Sequence, residues 1–329
     1  ESSYQFIKKK LHTKNIFWPS KEINLFCEEQ NGIKNFLNFK EKKKNLMYVF
    51  ENVELKKQLN KQILKKKNIK LIKKNITKVN YTNGSILLNE KSIFYDLIIL
   101  SIGSHSELYN KISQERSIEK TYKEIALTTN IKHDSKIDNV SQFFLKEGPL
   151  AILPYNKKSF SVVWSVSNIF FNKNNKSIKK ILTSKIKILL KKLKIKKITN
   201  IQSFPIKMSL KTKYFKSNIL ILGDGLHAIH PMAGQGFNLV LRDIKKLSEL
   251  ISKTLKLGML FGNSFLLKDF YNARKPENIL IGLGVNLTNI FFKDNKYFSP
   301  IRKVILKNIN NFKFIKKISQ KISDKGITI

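Results

Sequence analysis

The chain has 329 residues, of which 42% are hydrophobic and 26% charged, so a sizeable core is expected and wholesale disorder is excluded. No apolar run approaches the roughly 18 residues a membrane-crossing helix needs, and the polar opening lacks the apolar stretch of a secretory signal. The single cysteine, Cys27, excludes a disulfide scaffold and a cysteine-built zinc site; it fits a reducing compartment and is read as a packing residue.

The formal charge of +40 rests on 63 Lys and Arg residues against 23 Asp and Glu, yet only Arg116, Arg242, Arg274 and Arg302 are arginine. Nucleic-acid readers lean on the bidentate guanidinium, so no nucleic acid is expected as a partner. Lysine spread evenly beside Asn and Ile reads first as compositional drift. The charge-driven alternative is an anionic membrane face.

In chain order, residues 16–27 read as extended and residues 51–66 as a helix, with Val53, Leu55, Leu59, Ile63 and Leu64 roughly on one face. Short strand-like runs follow at 69–73, 76–81 and 85–88, and Asn83-Gly84 predicts a type I′ hairpin between the last two. The continuous apolar run at 96–100 predicts a buried parallel strand, and residues 142–166 an antiparallel sheet with bulky side chains on one face. Lys173 to Lys197 holds eleven lysines and no acid, with Ile178, Leu182, Ile186, Leu189 and Leu193 at helical spacing. Residues 218–222 predict a second buried strand and 235–256 a helix. Near the end, Ile301, Ile305, Ile309, Phe312, Ile315, Ile318 and Ile322 recur at helical spacing up to Gly326, and 301–329 carries eight basic residues and one acid. Each lysine-rich stretch is either a core-facing stripe with a solvated face or a basic amphipathic helix lying on lipid.

The informative segment is 218–243, NILILGDGLHAIHPMAGQGFNLVLRD. Gly223, Gly225 and Ala228 imitate a dinucleotide fingerprint, but that motif needs its helix to open among the glycines. Here Pro231, Gly234 and Gly236 postpone the helix to about residue 235. A different use suits the pattern. Asp224 at a strand's carboxyl end can accept a hydrogen bond from a chain of sugar-like hydroxyls. Ala233, Gly234 and Gly236 let a flat ring approach the backbone, and the helix N-terminus behind them favours a ring that becomes anionic. His227 and His230 lack a third ligand for a metal, and no Ser/His/Asp arrangement is argued by spacing.

The run Gly223-Asp224-Gly225-Leu226-His227, His230-Pro231, Ala233-Gly234-Gln235-Gly236, Phe237, Asn238-Leu239 and Arg242-Asp243 closely resembles the second flavin-binding motif of the FAD-dependent aromatic hydroxylases. The family pattern has Gly-Asp-Ala-Ala-His in the first block. The match is closest to the branch that hydroxylates polyprenylated phenols in ubiquinone biosynthesis. Gly148 to Pro154, Trp164, Tyr271 and Arg274 fit the same branch, and Glu51-Asn52 resembles its flavin-contacting turn. Two departures stand out. The opening Gly-x-Gly-x-x-Gly unit that holds the ADP half of FAD is missing, and since the sequence starts at Glu1 a preceding segment is expected. The middle motif, Ala-Asp-Gly followed by Ser and Arg, reads here Ser101-Ile102-Gly103, Ser106 and Tyr109.

The resemblance implies an α/β fold: a three-layer FAD-binding domain lacking its first βαβ unit (45–115 and 206–275), an inserted strand-rich substrate domain (16–44 and 116–205) and C-terminal helices (276–329). It implies FAD as cofactor, with NAD(P)H or another electron donor, and hydroxylation of a polyprenylated phenol through a flavin C4a-hydroperoxide. The cofactor contacts it implies are Asn52, Gly223, Asp224, Pro231, Gly234, Gln235, Gly236 and Asn238; Arg242 and Asp243 are expected to orient the helix. The implied partners are a lipid-tailed phenol, an anionic membrane surface and other ubiquinone-biosynthesis enzymes, in a cytoplasmic location peripheral to the membrane's inner face. Two alternatives stand beside this: another flavin-dependent oxidoreductase of the same fold, acting on an aromatic or a polyene, and a non-catalytic scaffold relative.

Overall fold

The computed structural model describes residues 2–11, 16–73, 76, 78–88, 91–104, 106–109, 112, 117–259, 261, 264–293, 317–318, 320–322, 324 and 326. The fold is mixed α/β, in two compact units: residues 1–66, 122–206 and 288–325 form the first, and residues 67–121, 207–287 and 326–329 the second.

The first unit is built on one large sheet. Seven of its nine strands run in the order Ile195–Ile198, Ser117–His133, Ser159–Ser167, Gly148–Asn156, Val140–Leu145, Glu22–Glu29, Gly32–Lys40. Every pairing is antiparallel except that of Val140–Leu145 with Glu22–Glu29. The bulky residues of 142–166 alternate as a pleat demands: Phe160, Val162, Trp164 and Val166 are fully buried, as are Leu150 and Ile152 of the facing strand. The lysine-rich stretch splits into helices Asn168–Asn174 and Ile178–Leu189 and the strand Ile195–Ile198. Ser167 caps the first helix, its hydroxyl accepting the Phe170 N–H at 3.1 Å. Ile178, Leu182 and Ile186 are buried in the same core as Trp164, so this apolar stripe faces protein and the lysines face water. The lipid-lying alternative is corrected for this helix: its apolar face is already covered.

Residues 16–27 form the strand Trp18–Ser20 and most of Glu22–Glu29. The helix Asn52–Leu64 forms as expected, but Leu55 alone of the expected face is buried, while Val53, Leu59 and Leu64 are exposed. Of the expected C-terminal amphipathic helix, Ile301, Ile305, Ile309, Phe312 and Ile315 lie outside the described residues; Ile318 and Ile322 are partly exposed.

The second unit holds the two apolar runs. Ile98–Leu100 and Ile219–Ile221 pair in parallel, with Ile219 opposite Ile98, and Phe215–Lys216 adds an antiparallel edge. Ile219–Ile221 is buried on both faces, whereas in Ile98–Leu100 the outer residues are buried and Ile99 is 41% exposed. Their core holds Val79 of an antiparallel sheet (Lys78–Asn80, Ser85–Leu88, Lys91–Phe94), Tyr81 of the turn after its first strand, Leu247 and Leu250 of the helix Gly236–Lys256, and Leu266, Leu267 and Phe270 of the helix Ser264–Phe292.

Two expectations fail in this unit. The run 69–73 is not a strand: Ile69, Leu71 and Ile72 are exposed, and among the described residues no strand pairs with them. The hairpin turn spans four residues, 81–84, because Asn80 pairs with Ser85. The Asn80 side chain accepts the Thr82 N–H at 2.9 Å and so builds the turn itself. Gly84, at φ +65°, closes it, and a β-carbon there would collide with the Asn218 side chain.

Candidate functional site

The strand Ile219–Ile221 leaves the core at Leu222 and turns at once through Gly223–Gly225, a single 3₁₀ turn. Gly223 sits at φ +79° and opens onto empty space. Asp224 is exposed, and its carboxylate makes no hydrogen bond among the described residues. A second 3₁₀ turn, Pro231–Ala233, follows. It is capped by the buried His230, whose Nδ1 accepts the Met232 N–H at 3.1 Å, and it ends at Gly234 in the left-handed region, φ +58°. The helix then runs Gly236–Lys256, with Gln235 at its N-cap and no side-chain cap. This is the strand, long loop and late helix expected from the glycines and Pro231, and it excludes the dinucleotide reading of the first glycines.

Seven of the eight expected cofactor contacts thus lie on one continuous turn-and-helix segment of the second unit: Gly223, Asp224, Pro231, Gly234, Gln235, Gly236 and Asn238. Asn52 is the exposed first residue of its helix in the first unit. The seven fit the polyol and ring end of a flavin. Asp224 offers an uncommitted acceptor. No atom stands within 4 Å of where a β-carbon on Gly234 would be. Gln235 Oε1 is buried without a hydrogen-bond partner among the described residues, which calls for a donor that protein does not supply.

Behind the loop lies a buried polar network. His227 Nε2 donates to Asp243 Oδ2 at 2.6 Å, and Arg274 Nε donates to Asp243 Oδ1 at 2.6 Å. Arg274 also reaches Glu277 and, at 3.1 Å, Asn278; Glu277 in turn accepts from Arg242 at 3.1 Å. Asn278 donates to Tyr214 at 3.2 Å. Burial alone would raise the Asp243 carboxyl, but His227 and Arg274 outweigh it and hold it below the usual carboxylate range. Burial likewise works against the Arg274 charge, and Asp243 and Glu277 reverse the sign and raise it. Burial pushes the Tyr214 hydroxyl well up. Arg242 and Asp243 therefore tie one helix to the next. Tyr214, Glu277 and Asn278 were missed from sequence; the one available signal was a lone arginine, Arg274, in an acid-poor chain.

Residues 96–258 match the FAD binding domain family. The chain is 27% identical over 316 residues to the ubiquinone biosynthesis monooxygenase COQ6, mitochondrial, of Dictyostelium discoideum, covering 82% of this chain and 63% of that protein. It is 26% identical over 166 residues to the 3-demethoxyubiquinol 3-hydroxylase of Escherichia coli, covering 50% and 42%. The chain thus spans less than two thirds of the length of these relatives. Among solved structures, p-nitrophenol 4-monooxygenase PnpA from Pseudomonas putida superposes with a TM-score of 0.77 at 11% identity, covering 98% of this chain and 86% of that one. Klebsiella pneumoniae HpxO complexed with FAD and uric acid does so at 0.70 and 12%, covering 98% and 85%. The likeness to these two structures is one of fold. The chain is similar to the FAD binding domain family over residues 96–258, and its relatives include proteins named for ubiquinone biosynthesis.

Proposed function

We propose that this chain is the greater part of a flavin monooxygenase that hydroxylates the aromatic ring of a polyprenylated phenol in ubiquinone biosynthesis. The observation that carries the reading is the Asp224 turn: a free carboxylate, two open glycines and an uncapped helix start, all in the run that resembles the hydroxylases. Reduced flavin supplies the oxygen-transfer chemistry when bound, with NAD(P)H or another donor supplying electrons. The chain's own residues hold and orient. Asp224 accepts from the polyol, Gln235 and Asn238 face the ring, and the first turn of Gly236–Lys256 offers N–H groups and positive dipole to developing negative charge. No side chain need act as nucleophile.

In this reading the second unit carries the flavin and the large sheet of the first unit belongs to the substrate domain. A lipid-tailed phenol resides in a bilayer, which favours peripheral attachment at the inner, anionic face. Among the described residues no helix is long and apolar enough to cross a membrane. Partnership with other enzymes of the same pathway follows from a shared lipid-bound substrate.

The test is purification of the full-length protein, measurement of bound FAD, and incubation with a short-chain prenylated phenol, a reductant and dioxygen. Stoichiometric FAD and a hydroxylated product support the reading. Bound FAD without product points to another flavin oxidoreductase of this fold, and absence of both to a scaffold.

A further inference from the structure

The altered middle motif has no role in the reading above. Its residues nonetheless meet the Asp224 turn. Tyr109, which stands where the family keeps an arginine, is 1% exposed. Its hydroxyl accepts the Ile102 N–H at 3.0 Å. The short turn Glu107–Tyr109 that presents it is anchored twice: Ser106 Oγ accepts the Leu108 N–H at 3.3 Å, and the Tyr81 hydroxyl donates to the Leu108 carbonyl.

The phenol ends against Gly225. A β-carbon on Gly225 would lie 2.5 Å from Tyr109 Oη, 2.6 Å from Tyr109 Cζ and 2.8 Å from Ile221 Cγ2. Such distances do not occur between real atoms, so the tyrosine fills the space that a methyl group at 225 would need. The family's first block has alanine there. These two differences from the family pattern are therefore sterically one: arginine to tyrosine at 109 goes with alanine to glycine at 225. The Asp224 carboxylate is close enough for its charge to be felt at Tyr109. Burial raises the phenol and Asp224 raises it further, against the Ile102 N–H.

We infer that Tyr109 and Gly225 form a reciprocal lock that joins the Ser101-Ile102-Gly103 loop to the Asp224 turn, making Tyr109 a positioning residue for the flavin-polyol carboxylate. The inference rests on the flavin reading of that turn. Tyr109 acts through Gly225 and the neighbouring backbone, and it sets where Asp224 points. Loss of the acid and the arginine from the middle motif is, on this account, replacement of one link between the two loops by another.

The experiment is a double-mutant cycle read in FAD affinity on full-length protein, by fluorescence titration of the cofactor-stripped chain. Tyr109→Phe removes only the hydroxyl, which accepts the Ile102 N–H. It should weaken FAD binding about three- to tenfold, the worth of one hydrogen bond. In an Asp224→Ala background the same change should cost less than about twofold, because the group it positions is gone. A purely structural tyrosine would cost the same in both backgrounds, and that result, or no cost in either, overturns the inference. Gly225→Ala should weaken binding more than Tyr109→Phe, and pairing it with Tyr109→Leu should recover part of the loss. Additive losses in that pair would equally refute the lock. Circular dichroism checks that each variant is folded. The wild-type titration separates the two levels: if wild type takes up no FAD, the flavin reading itself fails and this inference falls with it.

Discussion

Arg274 and Asp243, 31 residues apart, meet in a 2.6 Å charge-assisted hydrogen bond with both side chains buried, and His227 takes the second carboxylate oxygen. The acid closes the flavin motif and the arginine lies on the following helix, so the bond ties the loop's far end to the body of the unit. Asp243→Asn would leave a buried guanidinium short of its main counter-charge. Removing one partner of a buried pair costs about 3–5 kcal/mol, and urea unfolding should show a loss of that size. The sign with pH follows from the lowered carboxyl. Asp243 contributes stability above the unfolded carboxylate range, near pH 4, and that contribution is lost as pH falls through its folded value. The wild type should therefore lose stability more steeply than the Asn variant below about pH 4.

Asp224 contrasts with Asp243. It is exposed and makes no hydrogen bond to protein among the described residues, so Asp224→Ala should leave the unfolding midpoint nearly unchanged. A hydrogen bond between a charged acceptor and a polyol hydroxyl is worth roughly 1.5–3 kcal/mol, which is one to two decades of FAD affinity. Unchanged FAD occupancy in full-length protein carrying this substitution would make Asp224 a turn residue only.

The site was legible where local chemistry dictates local structure. Continuous apolar runs ending at Leu100 and Leu222 announce buried strands, and Pro231 with Gly234 forces the late helix start. What escaped was set by distant partners. Tyr214, Glu277 and Asn278 gain meaning only when 35 or more residues of chain fold back on Asp243 and Arg242, and no spacing rule encodes that. The alternation of Ile and Lys at 69–73 misled because a chain this rich in both produces strand-like patterns with no buried face. Asn83-Gly84 gave the turn but not its length, which Asn80 decides from the position just before it begins.

His133 offers a pH test in the first unit. It is fully buried beside Phe160, its Nδ1 accepts the Ser135 N–H at 3.1 Å, and its Nε2 has no hydrogen-bond partner among the described residues. Burial lowers its pKa against the smaller pull of Ser135 and Asp134. A histidine depressed in the folded state is neutral there while the unfolded chain protonates near pH 6.5. Stability should thus be constant above that value and fall as pH drops from about 6.5 toward the folded value. His133→Gln should flatten this slope even if it lowers stability overall. Chemical denaturation at several pH values between 5 and 7.5 decides the matter; a slope unchanged in the variant assigns the effect elsewhere.

Membrane attachment, if it draws on the lysine-rich stretch 173–197, must be electrostatic. Ile178, Leu182 and Ile186 are committed to the core, whereas Lys179, Lys180, Lys187, Lys191 and Lys192 are exposed. These five face solvent with no acid among them in that stretch. Each lysine near an anionic surface contributes about 1 kcal/mol, so the five together supply about 5 kcal/mol, which is sub-millimolar affinity. The Debye length shrinks from about 10 Å at 0.1 M salt to about 3 Å at 1 M. Binding of the full-length protein to phosphatidylserine-containing vesicles should therefore collapse over that range, and phosphatidylcholine vesicles should recruit little at any salt. Changing the five lysines to glutamine leaves the buried stripe intact and should preserve the fold while cutting vesicle binding at least tenfold. The basic segment 301–329 gives a second arm, since neutralising its eight basic residues tests the other concentration of charge. If vesicle binding survives both sets of substitutions undiminished, the surplus of lysine is compositional, and the lipid-tailed substrate must reach the protein without an electrostatic dock.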